Sequence, residues 1–171
     1  MKSFKEFLNE SSLSRIKSKS DKGGIATMSA SRADKSAKEN RARAKQLDKD
    51  IKGNGLPGAT KVTGSYVEKG DDGKEKKVKE RSHVVSSGKK GKRAFKKAVK
   101  SLGKKYGQDS VLTQTKKTGT LSATRKGGLG KKPKNKRPLG STKRVGLGKF
   151  KPQGKNPEGQ SQIKGKTFTY G

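Results

Sequence analysis

Few side chains in this sequence are equipped for catalysis, and the carboxylates are the first to consider. Fourteen Asp and Glu stand against 46 Lys and Arg in 171 residues. Glu68 and Glu80 lie on two alternating runs separated by Gly70-Asp71-Asp72-Gly73, so a hairpin would bring them near each other. Paired carboxylates bind a metal or share a proton. Lys69, Lys79 and Arg81 flank both acids, however, and this pattern favours ordinary ion pairing across a ladder. Asn40 falls on the apolar stripe of a helix, where a buried amide must find partners; fixing a neighbouring loop is the expected role and lining a site the alternative. His83 is the only histidine, and within Arg81-Ser82-His83-Val84-Val85 it reads as a surface or packing residue. The absence of cysteine removes disulfides, thiolate zinc sites and cysteine nucleophiles together. Gly165-Lys166-Thr167 ends like a phosphate-binding loop, but Gln160 stands where the first glycine is needed and Phe168-Thr169-Tyr170 reads as strand, not helix. These patterns assign no catalytic residue, no metal and no cofactor.

The elements that position these residues must come from a sparse apolar set. Only 25% of the chain is hydrophobic and 5% aromatic, so a core forms locally rather than throughout. Its best element is Phe95 to Leu112: Phe95, Val99, Leu102 and Tyr106 recur on one helical face, Gly103 and Gly107 offer the turn, and Asp109 to Thr113 is extended. Upstream, Ile25 to Ala30 reads as a first strand. Ser36 and Glu39 have the spacing of a capping box, followed by the stripe Ala37, Asn40, Ala44, Leu47 and Ile51, with Gly53 or Gly55 ending the helix. Val62, Gly64, Tyr66 and Glu68, then Val78, Glu80, Ser82 and Val84, form the hairpin.

The resulting order, β-α-β-β-α-β over residues 25–115, predicts an α+β fold of the split βαβ, ferredoxin-like kind, one sheet with two helices. Residues 11–24 read as a flexible basic linker and 165–171 as a returning edge strand. Between Ser110 and Pro157 there is no acid. The stretch 116–164 reads as a long basic Gly/Lys-rich loop, largely disordered in isolation. Lys116, Lys117, Arg125, Lys126, Lys131, Lys132, Lys134, Lys136, Arg137, Lys143, Arg144, Lys149, Lys151 and Lys155 would follow a phosphate backbone there.

Two resemblances extend this reading. The first ten residues, MKSFKEFLNE, place Phe4, Phe7 and Leu8 on one side of a short helix, and they resemble the capsid-targeting leader of internal head proteins of T-even-type phages. That resemblance implies cleavage after Leu8-Asn9-Glu10, with Ser11 as the new N-terminus. The domain itself resembles a family of small prokaryotic and phage domains of uncharacterised function, through Ser29-Ala30-x-Arg32, Glu39-Asn40-x-x-Arg43-x-x-x-Leu47, Gly64-x-Tyr66-x-Glu68, Glu80-Arg81-Ser82 and Tyr106-Gly107-Gln108-Asp109-Ser110-Val111. It implies a common fold without an activity. Arg32, Asn40, Glu68, Glu80, Gln108 and Ser110 are then where a site would be sought, or else the hydrogen-bonding frame of the fold.

A formal charge of +32 makes nucleic acid, DNA rather than RNA, the expected partner through its phosphates. No apolar run is long enough to span a membrane, and none is expected as a partner. The leading expectation is a virion internal head protein, not an enzyme, that associates with packaged DNA, meets prohead or capsid components and the maturation protease, and is ejected with the genome. Its place would be the virion interior, and the host cytoplasm during synthesis and after ejection. The alternatives are a nonspecific nucleic-acid binder of the host cytoplasm and an enzyme using the polar cluster of the domain.

Overall fold

A computed structural model describes residues 15–69, 75–116, 119–125, 142–145, 159–163 and 166–170. Helix α1 covers residues 15–22 and is followed by β1 (Ile25–Ser29), α2 (Ala37–Gly53), β2 (Thr60–Lys69), β3 (Glu75–Ser86), α3 (Lys92–Lys105) and β4 (Ser110–Gln114). Four more strands complete the chain: β5 (Gly119–Ala123), β6 (Thr142–Val145), β7 (Gly159–Ile163) and β8 (Lys166–Tyr170). All eight strands form one sheet in the order β6-β5-β4-β1-β3-β2-β7-β8, and every pairing is antiparallel. The central four, β4-β1-β3-β2, have the order of a ferredoxin-like unit, so the α+β expectation holds. Two strands are added at each edge.

The helices form where side-chain chemistry starts and stops them. Ser36 caps α2: its hydroxyl accepts from the Glu39 amide at 3.2 Å, and the Glu39 carboxylate accepts from the Ser36 amide at 2.8 Å. These bonds satisfy amides that the first turn leaves free and hold Glu39 below the usual carboxylate range. Ser36→Ala is expected to lower stability by about 1 kcal/mol, read as a fall of about 4 °C in Tm by circular dichroism. At the far end of α3, the amide of Gln108 closes on the Gly103 carbonyl at 2.9 Å, with Gly107 between them at φ 69°. That left-handed conformation is why glycine stands at the turn.

The core lies between α2, α3 and one face of the central sheet. Leu47 and Ile51 of α2, with Phe95, Val99, Leu102 and Tyr106 from the α3 segment, close over Ala26, Met28, Val85 and Val111. The stripe of α3 is buried in full. That of α2 engages only through its second half, because Ala37 lies exposed and Asn40 and Ala44 half-buried at the sheet margin.

Two segments differ from expectation. The stretch 11–24, read as a linker, holds α1, anchored by Ile16 and Ser20, which are buried one turn apart. A Lys19 carbonyl that accepts from both Gly23 and Gly24 then ends it. Within 116–164, read as a loop, β5, β6 and β7 take places in the sheet. A ladder satisfies backbone groups without requiring an apolar run, and β4 and β2 each offered an open edge. At the edge of the sheet β8 occupies the stretch expected to return there.

Candidate functional site

The polar residues singled out from the sequence separate into two places. Arg32, Asn40 and Gln108 gather where the loop after β1 meets the start of α2 and the end of α3. Asn40 uses its whole amide on that loop: Oδ1 accepts from the Arg32 amide at 2.9 Å, and Nδ2 donates to the carbonyls of Arg32 and Lys35 at 3.0 and 3.1 Å. Arg32 donates to the Gly107 carbonyl at 2.7 Å, and the Gln108 side-chain oxygen accepts from the Ser29 amide at 3.3 Å. Arg43, which stood in the quoted motif without being singled out, bolts the two sides together. It donates to the Ala30 and Tyr106 carbonyls, each at 2.8 Å, and its guanidinium stands 5.5 Å from the Tyr106 ring centroid. Chemistry at this end is committed to backbone.

Next to it, Asp50 accepts from the Tyr106 hydroxyl at 2.6 Å and pairs with Lys105 at 2.7 Å. The Lys105 contact first, and the phenol second, hold the Asp50 carboxyl below its usual range. Burial first, and the carboxylate second, push the Tyr106 phenol up. A phenol that keeps its proton in this way is a fixed donor joining α2 to α3, not a proton shuttle.

By register, the positions of Glu68, Glu80 and Ser110 lie on the face of the sheet opposite the α2–α3 core, the face on which Ile25, Val62 and Val84 are also buried. Register opposes Gly64 to Glu80 and Glu68 to Lys76, so the two acids stand four residues apart along the hairpin, about 13 Å. They therefore do not form the carboxylate pair that the hairpin suggested. The row through Glu80 has its own character. Glu80 opposes Gly64, Gly64 opposes Ser161, and Ser161 opposes Phe168, an acid and an aromatic position with two small residues between them. This row of register partners spans three inter-strand steps, about 14 Å. A Cβ on Gly64 would come within 2.8 Å of the Ser82 hydroxyl and 3.8 Å of Glu80 Cγ, so the glycine keeps β2 flush beside a half-buried carboxylate.

His83 takes neither place. It faces α2, only 1% exposed, beside a cleft of about 370 Å³ bordered by Arg41, Ala44 and Lys45 of α2 and by Lys61, Arg81 and His83 of the hairpin. Its Nε2 is 3.3 Å from Asp48, whose other oxygen holds Lys61 at 2.8 Å, yet the imidazole geometry makes no hydrogen bond at either nitrogen among the described residues. Burial, only partly opposed by Asp48, lowers its pKa below 6.5. A base harder to protonate when folded stabilises the fold fully above its unfolded pKa and progressively less as pH falls below it. The lone imidazole resonance is expected to titrate with a midpoint below 6.5, and stability to the pH 5 side of that value to be lower than at pH 7.

Among the described residues no cluster of His, Asp and Glu is placed to hold a metal, and no helix is long and apolar enough to cross a membrane. Of the basic residues expected to meet phosphates, Lys116, Arg125, Lys143 and Arg144 are among those described. Arg125 is ion-paired with Asp109, and Lys143 and Arg144 are ladder residues of β6 opposite Leu121 and Thr120. The others, and Leu8, Glu10 and Ser11 of the cleavage site, lie outside the described residues.

A protein-family model for the S-adenosylmethionine lyase family matches residues 26–170, which takes in α2, α3, β2 to β8 and all of β1 but its first residue. The chain belongs to that family. A comparison with curated proteins returns no match. Membership overturns the expectation of a DNA-associated internal head protein and favours the enzyme reading that was placed last. Charge had led the other way, because a high density of lysine is visible in composition whereas a substrate site is not.

Proposed function

We propose that this protein is a lyase that cleaves S-adenosylmethionine, and that the region around Glu80, on the sheet face opposite the α2–α3 core, receives the substrate. The observation that carries the reading is the family match over residues 26–170. The row Glu80, Gly64, Ser161 and Phe168 supports the location. S-adenosylmethionine is a net cation at neutral pH, with a sulfonium and an ammonium against one carboxylate. In a chain of formal charge +32, such a ligand is drawn to a face that carries acids. Gly64 leaves room beside the acid, and the acid suits the ammonium of the substrate's amino-acid arm.

Cleavage by a lyase breaks a carbon–sulfur bond without water. An oxygen of the substrate's own carboxylate forms a bond to the γ-carbon, closing a lactone, while the carbon–sulfur electron pair returns to sulfur and cancels its charge. The products are a neutral thioether and the lactone, with no proton transferred. The work left to the protein is to hold the carboxylate behind the breaking bond and to keep water from the carbon. Incubating the full chain with S-adenosylmethionine in isotopically labelled water is expected to yield both products, with no label at the γ-carbon, by liquid chromatography and mass spectrometry. Substrate that survives exposure to the folded protein would refute the reading.

A further inference from the structure

We infer that the cleft between α2 and the β2–β3 hairpin is a second binding site, on the opposite face of the sheet from the substrate row, for a small diphosphate-bearing ligand. Four cations border it, Arg41 and Lys45 from the helix and Lys61 and Arg81 from the strands, against the single carboxylate of Asp48. Among the mapped ion pairs of the described residues, Lys61 alone of the four meets an acid, Asp48, so the cleft carries a surplus of positive charge. At the floor stands His83, 99% buried by the measure of its 1% exposure, with neither ring nitrogen hydrogen-bonded among the described residues. Buried polar groups are normally satisfied, and an imidazole left open beside a cleft lacks the partner that a ligand oxygen or hydroxyl supplies.

Charge and size define that ligand. The surplus of positive charge excludes a net cation, so this is not where S-adenosylmethionine binds. A diphosphate balances the surplus, and guanidinium forks from Arg41 and Arg81 match its oxygens. A space of about 370 Å³ is larger than a lone phosphate needs and suits a molecule of nucleotide size. Asp48, three residues beyond Lys45 and facing both His83 and Lys61, would hold the floor of the site while the outer cations meet the ligand.

The test must separate a built site from the general attraction of a +32 chain for anions. Inorganic pyrophosphate, and in parallel ADP, are titrated into the full chain by calorimetry and by NMR of the imidazole, which is unambiguous because His83 is the only histidine. Both probes are expected to move the His83 resonances to saturation. Arg41→Gln with Lys45→Gln should weaken binding at least about ten-fold. Removing equal charge from the exposed Lys89 and Lys97, by Gln substitution, should change it less than about two-fold. Equal weakening by the two pairs, His83 resonances that stay put while pyrophosphate binds, or no binding of either probe would each overturn the site. None of these results depends on cleavage of S-adenosylmethionine, so the site stands or falls apart from the proposed activity.

Discussion

Glu80→Gln is expected to lower kcat/KM for cleavage of S-adenosylmethionine about 100-fold or more, measured well below the variant's own melting transition. The change preserves shape while removing the charge. Glu80 is half-buried, opposite a glycine that presents no side chain to screen it, so a cation held there is partly desolvated. Removing one partner of such a pair costs about 2–5 kcal/mol, and about 2.7 kcal/mol already corresponds to 100-fold. The kinetic split reports what the carboxylate does. A rise in KM alone would mean that Glu80 holds the ammonium equally in ground and transition states, whereas a fall in kcat would mean that it also fixes the attacking arm. Activity within about five-fold of the native protein would move the substrate off this row. Charge annihilates as the sulfonium is displaced, so an acid placed against the sulfur itself would resist the reaction. Glu80 is therefore assigned to the amino-acid arm.

The fold was more legible than the site, for reasons of range. A capping box is complete within four residues, and the Ser36 to Glu39 pattern is present as read. The stripe of α3 is complete within about three helical turns and is buried as read. Alternation located the hairpin, but its register decides which side chains meet, and register depends on pairing across the turn. Glu68 and Glu80 looked like partners because both are acids on facing strands; the ladder gives each a different neighbour. His83 illustrates the same limit. Its neighbours in sequence describe a strand, and nothing in them shows that Asp48 of α2 comes to lie 3.3 Å away. The basic region misled through composition, since lysine-rich segments are disordered on average, yet three strands in this one find ladder partners.

Arg43→Met distinguishes a structural frame from a catalytic cluster, and it is expected to lower stability by about 3 kcal/mol, or about 10 °C in Tm. Methionine keeps helix propensity and much of the volume, so the loss is that of two charge-assisted bonds and the contact with the Tyr106 ring. The Ala30 and Tyr106 carbonyls would lose their side-chain donor in a half-buried seam where water replaces it poorly. Lysine should recover only part of the deficit, because one ammonium cannot fork between the two carbonyls as a guanidinium does. Well below the melting transition kcat should remain within about two-fold of the native value, since each mapped bond of Arg43, Arg32 and Asn40 runs within the chain itself. A collapse of kcat in a variant that unfolds like the native protein would instead place Arg43 at the substrate. The same seam joins the end of β1 to the end of α3, and β1 pairs with β3, the strand that carries Glu80. Loosening it should therefore show first as heat sensitivity of the activity and only later as loss of the chemistry.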